Sequence, residues 1–515
     1  MPRPRVLVVG AGSSGLAAVQ QSLLAGLDPT CVEARPGVGG AWRYDPDPGQ
    51  AHLEWSDDGW LSLESPQENT YAGRPPPSPM YSSLRTNVPT SLMQFRGRPF
   101  PPTVGLFAHH QQVQDYLEAF AEPLDPQIRF NTRVTSIRHS LASDPSPPSG
   151  SRRWFASFRS TLDDNAEEET DQFDAVFVAN GHYSRPYIPF TDGLRSFPGE
   201  ITHARWYRLA ERYRDKTVLV VGNSASGYDI TRELAASIHS RRLENPNASL
   251  PRIYQAARSP PALGIPWDAP DAPEYSKEVH VLPPIRRVDG RRIEFENDEV
   301  VEDVDTIIFA TGYYFSFPFL SPKHEPFASH PLTYSPTKDG KRGAPSGAEG
   351  GIRIHGLDDR FLFYLADPSM AFLALPYLTI PFPLAQLQAR LAALHFASSL
   401  LLPSPLTFLP DPTCADPTTG EPDGAPESRQ PVTWAEPRGR QYDMQDRMMR
   451  ESGDVARAEG GLREGEGEEG EERHGERQGE RGGLTGERAI FGLTSLAERD
   501  LRVGAKALRK AVLGY

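Results

Sequence analysis

Two glycine-rich segments carry the residue types and spacing that hold phosphate. The first reads Gly10-Ala-Gly12-Ser-Ser14-Gly15 and follows the apolar run Val6-Leu-Val-Val. Gly10 permits a tight turn, Gly12 lets the backbone approach a pyrophosphate, and Gly15 allows close helix–strand packing. The helix expected over Leu16 to Ala25 then turns its N-terminus toward the negative charge. Glu33, at the end of the next expected strand, Thr30-Cys-Val-Glu, offers a carboxylate to ribose hydroxyls. The second segment reads Gly222-Asn-Ser224-Ala-Ser226-Gly227 and follows Val218-Leu-Val-Val. Ser224 stands where a middle glycine usually sits, and it is small enough to keep the approach open. The partner strand begins at Arg252 and ends in Arg258-Ser259, with no acid there. A cation and a hydroxyl at that place suit the extra 2′-phosphate of NADP; the competing reading of Arg258 is a solvated surface residue.

Each motif needs the same carrier: a short buried strand, a tight turn and an amphipathic helix, expected over Tyr228 to Ala236 in the second copy. A repeat of that unit predicts an α/β chain with two Rossmann-like dinucleotide-binding domains. The apolar strands Phe173 to Gly181 and Asp305 to Gly312 read as the crossing points between them. A strand-rich stretch spans Ile128 to Ile137, and another strand spans Trp154 to Arg159. The Pro/Ser-rich run Leu141 to Arg152 and the acidic run Asp163 to Glu169 read as exposed loops.

Composition narrows the partners. The chain has 515 residues, enough for two or three domains. A net charge of −14 disfavours a nucleic-acid role, since a phosphate backbone would be repelled. The two cysteines, Cys31 and Cys414, are far apart and exclude a disulfide framework. Met1 to Arg5 leads at once into an apolar strand, so no signal peptide is expected and the expected compartment is the reducing cytoplasm. The long apolar stretch Met370 to Leu402 is broken by Pro376, Pro381, Pro383, Gln386, Gln388 and Arg390, which predicts buried strand, loop and helix with no membrane span. Residues 459–483 hold nine Gly, nine Glu and four Arg and cannot build a core. Helical periodicity returns over Ile490 to Leu513, and that helix is expected to fold back onto the body.

A further segment, Phe197-Pro-Gly199-Glu-Ile-Thr-His203-Ala-Arg-Trp-Tyr207, resembles the identifying sequence of the flavin-containing monooxygenase family and sits just before the second glycine motif, as in that family. The resemblance spans roughly residues 4 to 400. Gly39-Gly40-Ala-Trp42 resembles the family's segment beside the flavin, and Tyr81 to Phe95 resembles its fungal and yeast branch. Asn87 falls on the family's active-site asparagine; the alternative is a turn former before Pro89. Phe309-Ala-Thr311-Gly312-Tyr313 is similar to the linker motif of N-oxidising flavoenzymes. Asp367-Pro368 and Phe382 to Gln388 resemble the segment where a helix N-terminus approaches the flavin ring, while plain core packing is the alternative for Trp42, Phe95 and Phe382.

The resemblance implies FAD and NADP as cofactors, with the NADP domain inserted into the FAD domain. It places the FAD domain at 1–190 and 305–402, the NADP domain at 191–304, and a largely disordered tail with a terminal helix at 403–515. Gly10, Gly12, Ser14, Gly15, Glu33, Gly40, Trp42, Asn87 and Val134 are then expected around FAD. Gly222, Ser224, Ser226, Gly227, Arg258, Ser259, Thr311 and Gly312 are expected around NADP and the linker. The implied reaction moves one oxygen atom of O2 from a flavin hydroperoxide to a small nucleophilic nitrogen or sulfur compound, as fungal relatives do in secondary metabolism. It needs no metal; a homodimer stays open. A Baeyer–Villiger enzyme shares the cofactors, but its motif ends in Trp-Pro where this chain has Tyr207-Arg208. A disulfide reductase needs a cysteine pair that is absent. An ornithine or lysine N-hydroxylase fits the motifs less well, and the intact glycine motifs argue against a non-catalytic FAD-binding protein.

Overall fold

The computed structural model describes residues 3–64, 77–141, 143–144, 153–163, 165–261, 264–337, 342–346, 350–358, 360–377, 379–397, 440–451 and 496–513. The apolar runs before the two glycine motifs become the central strands of two parallel sheets. In chain order the strands of these sheets are Arg5–Val9 (β1), Asp28–Val32 (β2), Ile128–Arg129 (β3), Ala175–Val178 (β4), Glu200–His203 (β5), Val218–Val221 (β6), Ile253–Ala256 (β7), Val279–Leu282 (β8), Thr306–Phe309 (β9) and Met370–Phe372 (β10). The first sheet runs β10-β4-β1-β2-β3 and the second β5-β9-β6-β7-β8, with every neighbouring pair parallel. Val6, Leu7 and Val8, like Val218, Leu219 and Val220, are 0% exposed. Helices and loops cover both faces of such a sheet, which is why these strands are apolar without alternation.

The chain leaves the first sheet after β4, builds the second, and returns with β10. This is the expected α/β plan of one Rossmann-like layer inserted into another. β9 belongs to the second sheet, so the return begins after Phe309. The outgoing and returning linkers, Arg185–Pro186 and Tyr313–Tyr314, pair antiparallel. Thr311 Oγ1 donates to the Tyr187 carbonyl, and Tyr187 N donates to the Gly312 carbonyl at 2.9 Å. Thr311 and Gly312 therefore fasten the two crossings to each other.

The helices are Ser13–Leu24 (α1), Thr90–Met93 (α2, a single turn), His110–Ala121 (α3), Ala225–Glu244 (α4), Pro381–Phe396 (α5), Arg440–Glu451 (α6) and Leu496–Leu513 (α7). α4 continues past Ala236, where its apolar pattern fades. Ile238 still reaches the core, and Arg241 and Arg242 in the last turn meet the C-terminal end of the helix dipole. Arg242 also makes a two-pronged bond to Glu278 at 2.8 and 2.9 Å.

The stretch 128–137 is two strands, because Asn131 takes φ +51°, a left-handed conformation that Asn tolerates. β3 joins the first sheet, while Thr132–His139 forms an antiparallel sheet with Trp154–Ser160 and Glu169–Phe173. α6 lies in a region expected to lack structure. Its overall polarity hides a stripe of Tyr442, Gln445, Met448 and Met449, all buried against the body. α7 docks through Ala505 and Arg509, whereas of the apolar residues behind its periodicity Leu501 and Leu508 are half-buried and Val512 is exposed. The Gly/Glu-rich run 459–483 lies outside the described residues. Among those residues no helix is long and apolar enough to cross a membrane.

Candidate active site

The two glycine turns superpose in role, residue by residue. Gly10 takes φ +97° and Gly222 φ +103°, a conformation that favours glycine. Gly10 N donates to the Val32 carbonyl and Gly222 N to that of Ala256, each at 2.8 Å, across the neighbouring strand. A Cβ on Gly15 would stand 1.8 Å from the Gly10 carbonyl oxygen, and one on Gly227 would stand 2.1 Å from that of Gly222. These glycines therefore set helix against strand. Gly12 and Ser224 occupy the N-caps of α1 and α4, with φ −73° and −74°, and neither helix has a side-chain cap or an acid in its first turn. Both helices thus start with backbone N–H groups free of side-chain competition, the arrangement that takes phosphate. Ser14 and Ser226 sit in those first turns, half-buried.

Above the first turn, Gly39 N donates to the Ala11 carbonyl at 3.1 Å, and a Cβ on Gly40 would come within 3.0 Å of Gly12 Cα. Gly12 and Gly40 thus face each other bare. Glu33 is buried; one carboxylate oxygen accepts from Ala11 N at 2.7 Å and the other from Arg35 N at 2.8 Å. Burial pushes its pKa up, and those two backbone donors work against the shift. Glu33 thus organises the turn as well as presenting an acceptor beside it. Val134 is buried one strand away, in Thr132–His139, whose Thr132 N donates to the Glu33 carbonyl at 2.9 Å. Cys31 is buried under the turn, and burial raises its thiol pKa, which makes it a packing residue. These residues fit a dinucleotide phosphate: two bare glycines, an uncapped helix start and an acid within one turn.

Across the second sheet, Arg258 and Ser259 follow β7 and are exposed. Asn223 Nδ2 donates to the Ser259 carbonyl and ties this loop to the glycine turn. Arg258 thus precedes the residue tied to the second turn.

Asn87 precedes α2 in a loop anchored to both layers. Toward the second layer, Tyr81 Oη donates to Asp229 at 2.6 Å, Ser83 Oγ donates to Glu233, and Ser82 N donates to the Arg208 carbonyl at 3.0 Å. Asp229 and Glu233 lie on α4. Toward the first layer, Arg96 N donates to Gln386 of α5 at 2.8 Å. Within this held loop the Asn87 Oδ1 atom is buried with no hydrogen-bond partner. A buried acceptor left unpaired in this way marks a place that a water or a ligand donor fills.

The segment from Phe197 to Tyr207 wraps the same junction. His203 is fully buried, and its Nδ1 accepts from Arg205 N at 3.1 Å. Burial and the nearby Arg205 charge press its pKa down to about 3, so the ring is neutral and structural. Tyr207 Oη donates to Glu233 at 2.6 Å. Arg205 and Arg208 are buried on backbone carbonyls: Arg205 on Pro77, Tyr183 and Ser184, Arg208 on Asp45, Ser78, Arg205 and Tyr207. In the sequence Arg208 served only to set aside the Baeyer–Villiger motif, and Arg205 had no assigned role. Two cations bracketing the aromatic pair Trp206-Tyr207 were the available signal.

The aromatic candidates divide. Phe95 and Phe382 are 0% exposed and stack at 5.1 Å, which is core packing. Trp42 meets Phe382 edge-on at 6.3 Å and stays partly exposed beside Gly40. The Asp367 carboxylate is taken up by Arg153, His139 and Ser369, so it ties the antiparallel sheet to β10. α5 begins at Pro381 with Ile380 as its N-cap, so Phe382 to Gln388 lie in its first two turns.

Comparison with known proteins agrees with this geometry. A family description, flavin-binding monooxygenase-like, matches residues 3–56, 53–249 and 273–327. A flavin-containing monooxygenase, iboF, of Amanita muscaria is 31% identical over 380 residues, covering 65% of this chain and 69% of the relative. The thiol-specific monooxygenase of Saccharomyces cerevisiae is 26% identical over 77% of this chain and 78% of its own. Among solved structures, the S-allyl-L-cysteine S-oxygenase of Allium sativum shares the fold, with a TM-score of 0.67 at 22% identity, over 99% of this chain and 94% of that one.

Proposed function

The chain belongs to the flavin-binding monooxygenase-like family of FAD- and NADPH-using enzymes, and we propose that it transfers one oxygen atom of O2 to a nucleophilic sulfur or nitrogen of a small molecule. The observation that carries this reading is the pairing of two matched phosphate-binding turns with an orphaned asparagine amide held between their layers. When bound, FAD and NADPH supply the electrons that activate oxygen. In this reading the turn around Gly10, Gly12, Gly15 and Gly40, with Glu33, holds FAD. The turn around Gly222, Ser224 and Gly227, with Arg258 and Ser259, holds NADPH.

The chain's own residues do the positioning. The bonds from Tyr81 and Ser83 to α4 make the Asn87 loop sensitive to how the second layer sits. Asn87 offers an amide to the reacting oxygen, and Trp42, backed by the core residue Phe382, keeps water from the adjoining wall. No nucleophile, triad or metal is required of the protein. Two relatives that oxygenate sulfur by name, the thiol-specific yeast enzyme and the S-oxygenase of garlic, favour a soft nucleophile. A Baeyer–Villiger reaction is the second reading. Against it stands Arg208, whose guanidinium grips four backbone carbonyls at the position where that class carries proline.

The test couples oxygen uptake and NADPH oxidation to product, with thiols, thioethers, amines and ketones supplied in turn. Sulfur or nitrogen compounds should be oxygenated and ketones left unchanged. Asn87→Ala should still bind FAD and consume NADPH, while product yield falls and released peroxide rises. An Asn87→Ala enzyme that oxygenates as efficiently as the parent would reduce Asn87 to a turn residue before Pro89.

A further inference from the structure

The two crossings leave the glycine turns at matching places. A Cβ on Gly10 would stand 2.8 Å from the Ala179 carbonyl oxygen just past β4, and one on Gly222 would stand 2.6 Å from that of Ala310 just past β9. His182 and Tyr183 come soon after the first contact and Tyr313 after the second. Tyr377 follows β10 of the first sheet. These residues therefore gather at the carboxyl ends of both sheets, the crevice where open α/β folds take ligands. Asn180 Nδ2 donates to the Ser316 carbonyl at 3.0 Å and ties the two crossings there.

The rings form one cluster. Tyr183 meets Tyr313 edge-on at 5.4 Å. His182 lies 4.9 Å from Tyr377, whose ring meets Phe315 edge-on at 5.5 Å. Tyr183 is 45% exposed, and Tyr313 and Tyr377 are half-buried, so the cluster opens to solvent. His182 is 7% exposed, yet its Nε2 has no hydrogen-bond partner. Burial alone lowers that ring to about 4, so it is neutral at neutral pH. A neutral imidazole nitrogen donates or accepts according to tautomer, and a hydroxyl group meets it either way. The fixed cations that act on Tyr313 are Arg205 and Arg208. Ring faces attract a cation only modestly at an open site, whereas two fixed like charges repel it. An uncharged ring escapes that repulsion and extends the edge-to-face pattern.

We propose that Tyr183, Tyr313 and Tyr377 receive the ring of an uncharged aromatic substrate, and that His182 Nε2 bonds a hydroxyl group on it. The compound is a substrate on the oxygen-transfer reading, but its binding is tested without turnover, on ethers in place of thioethers. Calorimetric titration of the FAD-loaded enzyme with NADP+ bound compares para-methoxybenzyl alcohol, para-methoxybenzylamine, para-methylanisole and methoxyhexanol. The aromatic alcohol should bind at least about tenfold more tightly than the amine. It should bind about two- to tenfold more tightly than para-methylanisole, which lacks the hydroxyl. A similar factor of about two to ten should separate it from methoxyhexanol, which lacks the ring. His182→Phe should abolish the advantage over para-methylanisole. Tyr183→Leu, a change at an exposed position, should shrink the advantage over methoxyhexanol, and it gives a reading even if His182→Phe fails to fold. An amine that binds as tightly as the alcohol, as a cage for cations would give, overturns the proposal. So does no binding of the alcohol, as a nicotinamide filling the cluster would give, or an unchanged order in either variant. If the order holds but para-(methylthio)benzyl alcohol is not oxygenated, the cluster stands as an aromatic-binding site and the oxygen-transfer reading fails.

Discussion

Gly12 and Gly15 belong to one turn but answer to different demands. A Cβ on Gly15 collides with the Gly10 carbonyl, so Gly15 serves the fold. A Cβ on Gly12 meets only Gly40 Cα at 3.6 Å, an ordinary contact, and its φ of −73° suits any residue. The protein alone therefore tolerates a side chain at Gly12, and a bound pyrophosphate does not. Gly12→Val should fold and lose its flavin absorbance, whereas Gly15→Val should fail to fold; a folded Gly12→Val that keeps a full complement of FAD would refute the first site. Arg258 is tested by cofactor preference. Arg258→Ala should raise the KM for NADPH about ten- to a hundredfold and barely change that for NADH, since a charged hydrogen bond contributes about 1.5–3 kcal/mol. Equal losses for both would mean that Arg258 does not read the 2′-phosphate.

Two buried histidines make a pH signature. Burial lowers His182 to about 4, and burial with the Arg205 charge lowers His203 to about 3, from an unfolded value of 6.5. The unfolded chain takes up protons below pH 6.5 that the folded chain refuses. Stability is therefore intact above that pH and falls as the pH drops toward 4, by about 1.4 kcal/mol per unit for each ring. The melting temperature should be lower at about pH 5.5 than at about pH 7.5, with a smaller drop in His182→Phe. An identical drop in His182→Phe would remove His182 from this explanation.

Among the elements, α7 joins the C-terminal region to the second layer. Arg509 approaches Asp229 of α4 at 3.5 Å, with the two side chains 5% and 4% exposed, and Lys510 reaches Asp271. Asp229 also receives the Tyr81 hydroxyl, so the pair adjoins the Asn87 loop. Removing one partner of a buried ion pair costs about 3–5 kcal/mol when the other charge is left alone; here Asp229 keeps Arg232 at 3.7 Å and the Tyr81 hydroxyl, so the cost falls below that range. Arg509→Met should lower the melting temperature by several degrees without changing flavin content. An unchanged melting curve would show that α7 contributes nothing to stability.

At the scale of the whole molecule, local patterns were legible and long-range ones were not. The two strand–turn–helix units stood out because their glycines obey local rules that hold wherever the turn is built. Glu33 and Arg258 were legible for the same reason, each closing the strand after its motif. The buried cations Arg205 and Arg208 were not, since their partners are carbonyls contributed by distant loops at Asp45, Pro77 and Ser78. The ties from Tyr81 and Ser83 to α4 span a sequence separation that no periodicity reports. α6 was missed because its average polarity outweighed a narrow buried stripe, and Asn131 divided a run that read as one strand-rich stretch.

Oxygen transfer to a soft nucleophile requires one enzyme to hold both nucleotides and to pass on a single atom of O2. The most direct measurement is mass spectrometry of products formed under 18O-labelled O2 with NADPH and paired thioether, amine and ketone substrates. One labelled oxygen atom should appear in a sulfoxide or N-oxygenated product, with one NADPH consumed per product. Label found only in esters from ketones, or NADPH spent entirely on hydrogen peroxide with every substrate, would contradict it.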